Sequence, residues 1–153
     1  MRKPLFVGAL VLVVIGAALT FSFAGTRAVT RPTKISVFER AKTDKVINTG
    51  KAGDTTGDLL TFHNPVFDAA DATKVAHDQG QCVRIAVGSS WECTWTTFLP
   101  GGHVTVEGPF FDTHDSVLAV TGGTGVYRNA RGAMQLKSRA GGTKFDFVFH
   151  LVP

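Results

Sequence analysis

At 153 residues the chain has room for one domain with a substantial core and little else. Sixteen Lys and Arg stand against 12 Asp and Glu, but Arg84, Arg128, Arg131, Lys137, Arg139 and Lys144 are scattered. That spread argues against the clustered basic face of a nucleic-acid binder and for an ordinary solvated surface.

Arg2 and Lys3 precede Leu5 to Phe23, a run of 19 residues without a charge. Ser22-Phe23-Ala24 then offers small residues at the two positions a signal peptidase reads, which predicts a signal peptide over 1–24, cut before Gly25. The rival reading is an uncleaved anchor, since 19 residues of helix rise about 28 Å, close to the thickness of a bilayer core. Both readings place the domain outside the cytoplasm, with the membrane touched only through this segment if it stays uncut. Losing Arg2 and Lys3 leaves 14 basic against 12 acidic residues. Residues 25–34 are polar and read as a flexible leader to a domain over 35–153.

Beyond the leader no long helical period occurs. Phe, Val and Thr are abundant and Gly numbers 17, a composition that favours short strands and tight turns. Turn signals divide the chain into eight strands: Ile35 to Arg40, Leu59 to Val66, Val75 to Val87, Trp91 to Leu99, His103 to Phe111, Ser116 to Thr121, Ala130 to Arg139 and Thr143 to Val152. Lys42 to Gly57 reads as a long loop, Asp68 to Thr73 as a break able to form one helical turn, and Gln79-Gly80 as a bend. Most connections are hairpin-like, so sequence neighbours should pair antiparallel. The fold class expected is all-β, an eight-stranded antiparallel closed β-barrel, because closure removes exposed edges. A sandwich is the alternative from pattern alone. Phe145, Phe147, Phe149 and Leu151 share one face of the last strand, as core or as cavity wall.

Cys82 and Cys93 fall opposite each other if the third and fourth strands form a hairpin centred between Val87 and Gly88. In an oxidising compartment that predicts a disulfide; a free thiol at Cys82 is the alternative. Gly122-Gly123-Thr124-Gly125 lacks the Lys-Ser/Thr of a phosphate-binding loop and reads as a tight connection. His63, His77, His103, His114 and His150 show no metal-ligand spacing, and no GxSxG nucleophile elbow is present. Neither a metal nor a cofactor is expected.

Several segments together carry a family resemblance. His103-Val-Thr-Val-Glu-Gly-Pro-Phe-Phe111 and Asp115-Ser-Val-Leu-Ala-Val-Thr-Gly-Gly-Thr-Gly125 resemble the second half of plant allene oxide cyclases. Gly57-Asp-Leu-Leu-Thr-Phe-His-Asn64 and Gly80-Gln-Cys-Val-Arg-Ile85 resemble cyclase segments too, and Gly122 to Gly132 is similar to the GGTG…ARG segment of plant dirigent proteins. The resemblance spans Ile35 to Pro153 and implies an eight-stranded barrel that forms dimers or trimers. It also implies a site. Glu39 matches the glutamate that assists epoxide opening, and Asn64 the asparagine that helps hold a water. Cys82 matches a cavity-lining cysteine, Phe110 an aromatic wall position occupied by tyrosine in the cyclases, and Leu60 and Phe62 match apolar wall positions. Ala41 stands where the cyclases have a second asparagine, so the water-holding set is incomplete and the cyclase substrate does not follow.

Three functions are consistent with this reading. An enzyme would hold a small apolar molecule folded, lowering the entropic barrier to cyclisation or stereoselective coupling, with Glu39 stabilising developing charge. A secreted carrier would bind such a molecule without changing it. A filled barrel would act through its outer face alone.

Overall fold

Strict alternation decides the interior. In the computed structural model, which describes residues 33–152, Phe145, Phe147, Phe149 and Leu151 are buried, whereas Lys144, Asp146 and His150 alternate with them toward solvent. The same period-two pattern runs through β1 (Lys34–Arg40), β3 (Leu59–Asp68), β4 (Lys74–Ala86), β5 (Ser90–Leu99) and β6 (Gly102–Phe111). It continues in β7 (Ser116–Gly123), β8 (Gly132–Arg139) and β9 (Lys144–Leu151). These eight strands pair antiparallel with their neighbours, and β1 closes the sheet by pairing with both β9 and β3. The result is the expected barrel. Its far end is filled by Val66, Val104, Val106, Leu118, Met134 and Phe149, all fully buried. Tyr127 sits under that end and donates its hydroxyl to Pro100 O at 3.2 Å.

Three local expectations are corrected. The loop after β1 contains a short strand, β2 (Lys45–Ile47), paired with Leu59–Thr61 of β3; all three of its residues are exposed, so it leaves no burial pattern to read. Asp68 to Thr73 is a turn rather than a helical one: Asp71 N–H donates to Asp68 O at 2.9 Å, and the Asp68 carboxylate accepts from Ala72 N–H at 2.9 Å. The pairing is regular through Gln79 and Gly80, and the register shifts instead at Val66/Phe67 and Arg84/Ala86. The signal segment and most of the leader lie outside the described residues.

Cys82 pairs with Cys93 in the β4–β5 register, and the two form a disulfide. Closing an 11-residue separation constrains the unfolded chain by about 2–3 kcal/mol. Gly80, two residues before Cys82, lies opposite Trp95. A Cβ built on Gly80 would stand 2.2 Å from Trp95 Cβ and 2.6 Å from Thr94 O, so the glycine is required by close backbone approach. Gly80→Ala should therefore destabilise the barrel by about 3 kcal/mol, read as a lowered denaturant midpoint at unchanged slope.

Candidate functional site

The site begins where β1 and β3 part company. Their ladder runs only from Val37–Asp68 to Glu39–Val66; beyond it the chain turns outward through Ala41 to Asp44, which would leave backbone groups of β3 without partners. Side chains fill the gap. Thr43 Oγ1 accepts His63 N–H at 2.7 Å and donates to His63 O at 2.9 Å. The Asn64 carbonyl accepts the N–H groups of Lys42 at 2.8 Å and Thr43 at 3.0 Å.

The other end of the Asn64 amide organises the acids. Its Nδ2 donates to Glu39 Oε1 at 2.6 Å and to Asp44 Oδ1 at 2.7 Å, and its backbone N–H lies 3.3 Å from Asp78 Oδ1. Both amide hydrogens are thus committed to carboxyl groups, so Asn64 reaches a bound molecule only through Glu39 and Asp44. Glu39 Oε2 takes no hydrogen bond from the described residues.

Burial and crowding raise the proton affinity of Glu39 and Asp78. Glu39 is 5% exposed and Asp78 fully buried. Loss of hydration pushes the Glu39 carboxyl up to about 7, against the Asn64 hydrogen bond and with the help of the Asp44 charge. Asp78 rises further, to about 9, from burial first and then from the Glu39 charge. Three buried polar atoms near this wall have no partner among the described residues: Asp78 Oδ2, Thr97 Oγ1 and Trp95 Nε1. Asp78 and Thr97 are directly opposed in the β4–β5 register.

Glu39 faces a cavity in the near half of the barrel. Its volume is about 50 Å³. Leu60, Phe62, Cys82 and Phe110 all line it, as does Asp44 from the loop. Trp95, Leu136, Phe145 and Phe147 complete an almost wholly apolar wall, with the Cys82–Cys93 disulfide forming part of it. Asn64 stands behind Glu39 rather than on the wall. Sequence reasoning missed Asp44, Asp78 and Trp95. Asp78 was within reach: counting back by twos from Cys82 puts it on the inward face, and the β3–β4 hairpin sets it opposite Asn64.

The near mouth is fastened by a second charged cluster. Arg84, buried, donates from Nε to Asp54 at 2.7 Å and from Nη1 to Asp112 at 2.6 Å, with its guanidinium 3.9 Å from the Trp91 ring centroid. Asp58 accepts the N–H groups of Thr49 at 3.0 Å and Thr55 at 2.8 Å, and these bonds hold its carboxyl below the usual range. Together they pin the loop that crosses from β1 to β3. No group of three or more metal-ligating side chains occurs among the described residues.

Comparison with known proteins places this arrangement. The sequence profile described as allene oxide cyclase matches residues 31–152. Among solved structures, a pyocyanin demethylase superposes with a TM-score of 0.64 at 23% identity, over 74% of this chain and 97% of its own. A pterocarpan synthase dirigent protein gives 0.61 at 21%, over 79% and 96%. An exo-specific intermolecular Diels-Alderase gives 0.62 at 14%, over 78% and 98%. At these identities the three structures share the fold.

The raised acids set a pH dependence of stability. A carboxyl whose folded value lies above its unfolded one stabilises fully below the unfolded value and loses that contribution as pH rises through the folded value. For Glu39 the loss runs from about 4.5 through about 7, and for Asp78 from about 3.8 through about 9. The melting temperature should therefore fall steadily between pH 5 and pH 9. Asp78→Asn, which cannot ionise, should flatten the upper part of that fall; a wild-type profile that is level across this range would refute the assignment.

Proposed function

The chain belongs to the allene oxide cyclase family, and from that premise we propose that its lumen binds a small, largely apolar molecule and directs its cyclisation or stereoselective coupling without a cofactor. One observation carries this reading: the Glu39 carboxyl is buried yet lines an aromatic cavity with one oxygen uncommitted. The Diels-Alderase among the structural relatives supports a ring-forming role for a barrel of this shape. The N-terminal segment supports export of the domain, with a homodimer or homotrimer as the family's expected assembly.

The chemistry follows from water exclusion and placement. Walls of Leu60, Phe62, Phe110, Phe145 and Phe147 hold a flexible molecule in few conformations, so its reacting ends meet without first losing their freedom in solution. Glu39, with a value of about 7, is shared between acid and carboxylate near neutral pH. As the acid it donates a proton to an oxygen that gains negative charge; as the carboxylate it stabilises a centre that gains positive charge. Asn64 is a positioning residue, fixing the Glu39 carboxyl while its own donors remain engaged. Trp95, whose indole N–H has no partner among the described residues, is part of the same cavity wall.

A carrier that binds without catalysis is the second reading. It is favoured by the engagement of both Asn64 donors and by the disulfide that ties the Cys82 sulfur into the wall. The test uses a reactive precursor that cyclises unaided to a racemic product. Wild-type protein should give one enantiomer in excess. Glu39→Gln should reduce the catalysed rate by about 100-fold while leaving the melting temperature at pH 7 within a few degrees of wild type. Rates unchanged by Glu39→Gln, with binding retained, would leave the carrier.

A further inference from the structure

We propose that the ligand suited to this lumen has a compact apolar body bearing one basic nitrogen or fixed positive charge. The inference rests on the lumen-binding reading above and names the chemical class it takes.

Three features of the cavity converge on it. Glu39 and Asp44 are the charged side chains of the lining, and no Lys, Arg or His contributes to it among the described residues. The nearby cations are occupied elsewhere. Arg84 is held between Asp54 and Asp112 at the mouth, while Arg40 and Lys144 share Asp71 at 2.6 and 2.8 Å, with Arg40 stacked 3.8 Å over the Phe67 ring. The negative character of the lumen is therefore left without a counter-charge. Finally, Phe62, Trp95, Phe110, Phe145 and Phe147 surround the space with aromatic rings, whose faces attract a cation most strongly where water is kept out.

An anionic ligand would meet both the carboxyls and the ring faces. A neutral one would gain burial and at most a hydrogen bond to Glu39. A cation beside Glu39 gains its uncommitted Oε2 as well, and draws the proton off a carboxyl that burial otherwise keeps half occupied at neutral pH. The groups facing Glu39 sharpen this response. The loop presents Asp44 and β4 presents Asp78, both acidic; β3 presents Asn64, and β9 presents Phe145. Among the described residues, no basic side chain lines the cavity beside them.

The experiment titrates the full chain with 2-phenylethylammonium, 2-phenylethanol and phenylacetate, following the indole N–H resonance of Trp95 by NMR. At pH 8 the amine should bind about tenfold more tightly than the alcohol, with the carboxylate weakest. That advantage should shrink to less than about threefold at pH 5.5, where Glu39 is protonated, and also at pH 8 in Glu39→Gln. Alcohol binding equal to or tighter than amine binding in the wild type would overturn the inference and leave the lumen reading standing. An amine that binds without moving the Trp95 resonance would overturn it too, by placing the charge recognition elsewhere. If none of the three probes binds, the lumen reading falls and the inference falls with it.

Discussion

Strand β1 is bonded on both sides, to β9 along its whole length and to β3 over three residues, and the barrel exists because of this second, shorter engagement. Three residues of ladder make a weak seam. What extends it is the side chain of Asn64, whose carbonyl accepts two backbone N–H groups from the departing chain and whose amide nitrogen donates to two carboxyls. A single amide therefore closes the tube, anchors the loop and orients Glu39. Structure and site share the same hydrogen bonds, so a change at this residue moves both together. Buried polar groups are costly when unmatched, and Asn64 is matched on every hydrogen it carries.

The interior is divided along the axis. Far from the loop, branched aliphatics, Met134 and Phe149 pack to closure; near the loop, large rings line the wall and leave a space. The packed core and the cavity thus occupy different layers of the same strands. The acids lie at the boundary between them. Glu39 touches the hollow part, while Asp78 lies deeper, fully buried, its carboxyl pushed up by burial first and by the Glu39 charge second.

How far this was legible beforehand depends on the range of the interactions. Strand positions, the hairpin pairing of Cys82 with Cys93 and the shared face of Phe145 to Leu151 follow from local period and turn chemistry, and all appear in the structure. Glu39, Leu60, Phe62, Cys82 and Phe110 were reached through family likeness, since alternation groups residues on a face without saying which face is inside. β2 was invisible because an exposed three-residue edge has no alternation. The supposed bend at Gly80 misread a glycine that is there for close approach rather than for a turn. Asp44 belongs to a loop folded by contacts 20 residues away in sequence, and no local pattern encodes such a contact.

A tube packed shut at its far end, with Tyr127 beneath it, is a flask rather than a pipe. Whatever enters must leave through the same neck, beside the loop tethered by Arg84, Asp58 and Asn64. On the proposed reading, arrival and departure would use one doorway in opposite directions, and a product stiffened inside would have to pass the rim that admitted its more pliable precursor. On that reading, loosening the tether at the rim would quicken exchange without altering the wall.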